Sequence, residues 1–126
     1  MKNPIIKIDT KGNVTQLDFE LNNVLEQAYR EIECDLIDII TIHIDDIAVD
    51  VIVDDEGLMK ENPIYTVYAN EEMQLFGNVL LVPNDINHEG EYHRGFTDKE
   101  ITVIQNNIKE LVDFENGLIR KVLMLI

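Results

Sequence analysis

His88, Glu89 and His93 have the residue types that can hold zinc and activate its water. The zinc-protease pattern His-Glu-x-x-His needs its two histidines one helical turn apart on a helix. Here they are five apart, in a stretch containing Gly90, so no metal ligand is assigned. His43 sits inside a strand pattern and reads as a solvent-facing or hydrogen-bonded strand residue rather than a base. Cys34 is the single cysteine, which excludes an intramolecular disulfide and a Cys-based zinc site. Its neighbours Glu33 and Asp35 disfavour a thiolate there. Asp54-Asp55-Glu56-Gly57 lacks the spaced ligands of a calcium-binding EF-hand loop. Paired acids could serve glycoside hydrolysis, but no aromatic platform accompanies them, since the chain has no Trp. A non-enzymatic protein without a cofactor is therefore expected.

The carboxylates themselves are the more informative group. Between Glu31 and Met59 lie ten of them and no Lys or Arg: Glu31, Glu33, Asp35, Asp38, Asp45, Asp46, Asp50, Asp54, Asp55 and Glu56. The whole chain carries 25 acids against 10 bases, a formal charge of −15. Such a balance disfavours direct contact with nucleic acid or an anionic membrane, and favours cations or partners with basic surfaces. These ten residues are the candidate partner-binding set. A plainer account also fits: charge keeps a protein soluble and, at strand ends, prevents edge-to-edge pairing. Two features weigh on the functional side. Bases are absent over twenty-nine consecutive residues, and Glu31 and Glu33 fall at the end of a helix where the macrodipole prefers cations.

The elements that must position these acids follow from hydrophobic spacing. Ile5, Ile6 and Ile8, the turn residues Lys11-Gly12-Asn13, then Val14 and Leu17 predict a short hairpin. Leu21, Val24, Leu25, Ala28 and Ile32 form one apolar stripe of a helix from about Asp18 to Glu33, with Asp18 as its cap. Ile40, Ile42 and Ile44, then Ile47, Val49, Val51 and Val53, alternate as two strands around an Asp45-Asp46 turn. That turn sets Ile44 opposite Ile47, Ile42 opposite Val49, Ile40 opposite Val51 and Asp38 opposite Val53. The open end of the hairpin then gathers Asp35, Asp38, Asp54, Asp55 and Glu56, and the helix delivers Glu31 and Glu33 to the same end.

Gly57 and Asn62-Pro63 break the chain. Residues 64–69 read as extended, 70–76 as a loop or single helical turn, and 78–82 as a buried strand. Residues 83–95 read as a polar loop. Thr97-Asp-Lys-Glu100 is a capping box for a second helix carrying Ile101, Ile104, Ile108, Leu111 and Val112, interrupted or ended by Gly117. Residues 118–126 form an apolar tail, either helix or strand, which packs on the domain or on another copy as an oligomer contact. The expected fold class is α+β: a mostly antiparallel sheet of about five strands with two amphipathic helices on one face, in a single domain spanning residues 1–126.

Asp54-Asp-Glu-Gly57 with Leu58, Asn62-Pro63-Ile64, Phe76-Gly-Asn-Val-Leu-Leu-Val82 and Gly95-Phe96-Thr97-Asp98-Lys99-Glu100 carry a resemblance. Over residues 5–108 the chain resembles a family of small domains of unknown function common in phage and plasmid genomes. It departs from that pattern after about Leu111 and in the acidity of its middle. The family has no agreed activity, so no catalytic residue is carried over. What the resemblance implies is residence on a mobile genetic element.

The leading expectation is an acidic inhibitor or decoy that binds the basic nucleic-acid-binding surface of a host defence nuclease. This would be anti-CRISPR-like, with an RNA-guided nuclease of the Cas9 type as the sharpest target. Geometry limits any mimicry of DNA: same-face residues on a strand repeat every ~6.6–6.8 Å, against one charge per ~3.4 Å along a DNA strand. The alternatives are a divalent-cation site at the same acids, and a structural phage or plasmid accessory that self-associates through its tail into a homodimer. No signal peptide or membrane span is recognised, so the host bacterial cytoplasm is the expected location.

Overall fold

Alternating apolar residues and a polar turn build the first hairpin as expected. β1 (Pro4–Ile8) pairs antiparallel with β2 (Val14–Asp18), Ile8 opposite Val14. Asp9 closes the turn, its Oδ1 accepting from the Lys11 and Asn13 N–H groups at 2.9 Å each, while Gly12 supplies a positive φ of 91°. This computed structural model describes residues 3–33, 36–55, 65–70, 73–113 and 118–124. Cys34, Asp35, Glu56, Gly57, Asn62-Pro63 and Gly117 lie outside the described residues.

The first helix starts later than its stripe suggests. Asp18 belongs to β2, Leu21–Asn23 form a 3-10 turn, and α1 runs from Val24 to Ile32. Gln27 replaces the expected cap. Its Nε2 donates to the Glu20 carbonyl (2.9 Å) and the Asn23 carbonyl (2.7 Å), and its Oε1 accepts from the Glu20 N–H (3.1 Å). Val24, Gln27, Ala28 and Ile32 are the buried side chains of α1, whereas Leu21 and Leu25 of the predicted stripe are exposed.

The acidic hairpin forms with the predicted register. β3 (Ile37–Ile44) pairs with β4 (Ile47–Asp54) around Asp45-Asp46, with Asp38 opposite Val53 and Ile44 opposite Ile47. β5 (Tyr65–Asn70) is extended as expected, but residues 73–76 form a further strand, β6, paired to it. β7 (Val79–Asn87) outruns the buried segment, and β8 (Gly90–His93) folds back on it where a loop was expected. Pro83 marks the change of partner. It is the last β7 residue paired to β4, opposite Val49, and from Asn84 onward β7 pairs with β8, as suits a residue with no N–H to give a ladder.

The capping box forms with both of its bonds, and α2 runs from Asp98 to Asn106. It ends before Ile108, Leu111 and Val112, because Asn107 caps it: Nδ2 donates to the Val103 carbonyl (2.8 Å) and its N–H to the Ile104 carbonyl (3.0 Å). Residues 108–113 instead become β9, paired with β10 (Leu118–Met124). Local periodicity cannot foresee this exchange of helix for strand, since the pairing partner lies beyond the helix.

Among the described residues the strands make two sheets, one of order β2-β1-β7-β4-β3 with β8 on β7, the other of order β6-β5-β10-β9. Pairing is antiparallel throughout except for β10 with β5. The α+β, mostly antiparallel expectation holds, and the second sheet is an addition to it. Two apolar clusters fill the interior. In the smaller, Val24, Ala28 and Ile32 of α1 meet Ile5, Ile52, Leu80 and Val82. In the larger, Ile101 and Ile104 of α2 and Val67, Leu75 and Leu123 of the second sheet meet Ile6, Ile8, Val49, Val51 and Leu81. Residues adjacent along a strand point to opposite faces, and Ile5 and Ile6, Val51 and Ile52, and Leu80 and Leu81 divide between the two clusters accordingly. The apolar tail is an inner strand, with Val122 and Leu123 fully buried within the same chain.

Gly95 joins β8 to α2 where the chain passes the N-terminus. A Cβ there would lie 2.7 Å from Asn3 Cα and 2.8 Å from Pro4 Cδ, while the Phe96 N–H donates to the Pro4 carbonyl at 2.8 Å. In urea unfolding, Leu123→Ala is expected to lose about 2–5 kcal/mol through the cavity it leaves, and Gly95→Ala to be destabilising as well. An unchanged midpoint for Leu123→Ala would mean that the tail is not part of the domain core.

Candidate functional site

The ten predicted acids separate into distinct environments. Asp45 and Asp46 are exposed at the turn of the β3–β4 hairpin. Asp38 and Asp55 are exposed at its open end, roughly 23 Å away at ~3.3 Å per residue. There the Asp55 N–H donates to the Leu36 carbonyl at 2.9 Å and holds the end closed. Asp54 is opposite Ile37 and buried, on the side of the smaller apolar cluster; Asp38 is opposite Val53, on the side of the larger. The register thus brings Asp38, Asp54 and Asp55 to one end but points two of them to opposite sides. Glu31 turns away to the N-terminal hairpin and pairs with Lys7 at 3.3 Å, so it is not an uncompensated anion. Asp35 and Glu56 lie outside the described residues.

Glu33 is the C-cap of α1, with φ 59° and ψ 52°, and its N–H donates to the Tyr29 carbonyl at 3.0 Å. This left-handed position is the one at which helices usually place glycine. A side chain there costs about 1 kcal/mol or more, and its charge opposes the helix dipole. Asp45 also has a positive φ, 53°. Among the described residues these two are the non-glycine residues with φ above zero, and both belong to the acidic set.

Asp50 is the member that the sequence pattern misplaces. β4 is buried on both faces, so alternation does not send Asp50 to water: it is 5% exposed. Four strands meet at its carboxylate. Thr41 Oγ1 on β3 donates at 2.6 Å, Asn84 Nδ2 on β7 lies 3.2 Å from both oxygens, and His93 Nε2 on β8 donates at 2.7 Å. Burial pushes the Asp50 carboxyl up, but the bonds from Thr41, His93 and Asn84 outweigh it and hold its pKa below the ordinary value. A fully apolar-flanked Asp on a strand that reads Ile-Ala-Val-Asp-Val-Ile-Val was the available signal, because a buried charge must be paired. The partners His93, Asn84 and Thr41 were not legible, since nothing local links them.

A second network on the other side of the β7–β8 ribbon was also missed. Arg94, next to His93, donates to Glu100 with both terminal nitrogens (2.6 and 2.7 Å) and to Asp85 with Nε (3.1 Å). Glu100 thereby serves twice, since its Oε1 also accepts from the Thr97 N–H at 2.9 Å. The Arg94 bonds, against an opposing burial cost, pull the Glu100 carboxyl down to about 2. The Ile86 N–H and Arg94 hold Asp85 below its usual value, and Arg94 is itself raised by Glu100. Between the two networks a cleft of about 360 Å³ opens among Thr41, His43, Asp46, Asn84, Asp85 and Glu91.

The His93–Asp50 pair has the form of an oriented base, yet Thr41 Oγ1 bonds to Asp50 and not to His93. Among the described residues no hydroxyl or thiol is bonded to the imidazole, and no three His, Cys, Asp or Glu side chains converge as metal ligands. His88 and Glu89 lie in the exposed turn between β7 and β8, apart from this network.

Removing one partner of a buried pair exposes its role. Asp50→Ala is expected to destabilise by about 3–5 kcal/mol and His93→Ala by about 1–3 kcal/mol, because Thr41 and Asn84 still satisfy the carboxylate in the latter; equal losses in thermal melts would contradict this. Glu100 has a folded pKa below its ordinary 4.5. Its contribution is therefore complete above about pH 4.5 and is lost as pH falls toward 2. Stability measured from pH 6 to 2 should show this limb in the parent and a reduced one in Glu100→Gln. An identical acid limb in both would mean that Glu100 does not set it.

With the geometry in view, comparison with known proteins adds one relation. A family model described as Domain of unknown function (DUF3846) matches residues 1–109. No curated protein and no solved structure matches. The match ends inside β9, so β10, the inner strand of the second sheet, lies beyond it. The chain belongs to this family of domains of unknown function.

Proposed function

We propose that the domain is a non-enzymatic acidic binding module that engages the basic surface of a nucleic-acid-binding protein. The contacting anions are Glu33, Asp38, Asp45, Asp46 and Asp55, the exposed members of the predicted set. Glu31 and Asp50 leave that set because Lys7 and His93 already hold them. The observation that carries the reading is backbone strain at an acidic position. Glu33 keeps a charged side chain at left-handed φ, where glycine would relieve both the strain and an opposed helix dipole, while Asp45 takes its positive φ in a hairpin turn that accommodates Asp. Strain of this kind is expected where a side chain serves something other than folding.

The mode of action is electrostatic. Two anion groups at the ends of a hairpin of two eight-residue strands would steer a basic groove onto the outer strand β3, with affinity that falls as salt rises. A nuclease guided by RNA, from a host that defends itself against mobile elements, is the first partner class to test, since its channels are basic.

The decisive measurement is DNA loading by such a purified nuclease with increasing amounts of this protein. The parent is expected to block loading, and the variant Glu33→Lys/Asp38→Lys/Asp55→Lys to lose that effect by about tenfold or more. Full blocking by the charge-reversed protein, folded by circular dichroism, would end the proposal. Separately, Glu33→Gly is expected to stabilise the fold by about 0.5–1 kcal/mol while weakening partner binding. Stabilisation with unchanged binding would make Glu33 a structural accident.

A further inference from the structure

The predicted apolar stripe of the first helix is only half used by the core. Val24, Ala28 and Ile32 turn inward, while Leu21, Leu25 and Tyr29 remain 39, 51 and 38% exposed. These three recur at every fourth position. Leu25 and Tyr29 lie one turn apart on α1, the spacing of the ridges that seat in the grooves of a second helix, and Leu21 precedes them in the 3-10 turn. Beside it runs a groove of about 460 Å³, formed by residues 21–26 on one wall and Tyr92 and His93 on the other.

We infer that the row Leu21–Leu25–Tyr29, with the groove that Tyr92 closes, is the docking surface for a basic amphipathic helix of a protein partner. Shape selects a helix, because the row and its flanking groove repeat the geometry of helix-on-helix packing. Charge selects the sign. Glu26 lines the groove, Glu20 is exposed at its start and Glu33 beyond its end; among the described residues no Lys or Arg lines it, and Arg30, exposed beside Tyr29, is the one base of α1. The far wall is rigid: His93 is fixed by its 2.7 Å bond to the buried Asp50, and β8 is paired to β7 along its whole length. A preformed groove costs little ordering on binding. Leu and Tyr anchors supply apolar area that the hairpin acids lack, so this surface deepens the binding-module reading and rests on it.

The probes are two synthetic Leu/Lys peptides of one composition, one with an apolar helical stripe and one shuffled to destroy it, followed by fluorescence anisotropy at fixed salt. The parent is expected to bind the striped peptide at least ~10-fold more tightly than the shuffled one, and Leu25→Ser/Tyr29→Ser to bring the two to the same weak level. Both side chains are exposed, so a thermal melt should confirm an intact fold. Equal affinity for the two peptides, no binding of either, or undiminished discrimination by the double variant would each overturn the surface. The charge-reversed hairpin variant separates the two ideas. If it loses the nuclease while the peptides are not discriminated, the module reading stands and this surface falls. Discrimination of the peptides with no effect of charge reversal on the nuclease keeps the surface and removes the hairpin acids.

Discussion

Burial of β4 on both faces is the constraint from which the rest of the molecule follows. Val49, Val51 and Val53 face one apolar cluster and Ile52 faces the other, so a charge on this strand has no route to water. Asp50 can exist there only with hydrogen bonds from every side. Thr41, Asn84 and His93 provide them from the three neighbouring strands. The carboxylate thus ties together β3, β4, β7 and the β8 arm at the place where the sheet would otherwise end. Arg94 continues the tie to α2 through Glu100 on the opposite face. Two adjacent residues, His93 and Arg94, therefore lock the β7–β8 ribbon against both of its neighbours.

That arrangement changes what the acidic composition means. A charge of −15 on a small domain gives strong self-repulsion, and the fold answers it by taking some acids out of the field. Glu31 is paired with Lys7, Asp85 and Glu100 share Arg94, and Asp50 is buried against a histidine. Asp38, Asp45, Asp46 and Asp55 stay exposed on the hairpin. The same logic applies to Leu21, Leu25 and Tyr29, which the core could have covered and does not. Surplus charge and surplus apolar surface both lie outside the packing problem that the interior solves, and the proposed binding role rests on them.

How far the sequence could be read depended on the range of the interaction that decided each element. The Asp45-Asp46 turn and the register of β3 with β4 were legible, because a two-residue turn and period-two alternation act within a few residues. The capping box at Thr97 and Glu100 was legible for the same reason. The second half of α2 was not, because residues 108–113 prefer a strand only when β10 is beside them. The polar residues 83–95 read as a loop, yet cross-strand bonds make them a ribbon.

The sequence by itself determined the hairpin, the start of α2, the α+β class and the family to which residues 1–109 belong. It determined the candidate acids as a set, since their number and the absence of bases are properties of composition. Only the tertiary structure decided which of those acids stay in water. That choice rests on which face of a strand is covered and which distant base or histidine arrives, and both are set by strands far apart in the chain. The Asp50 network and the exposed side of α1 are consequences of the same long-range packing.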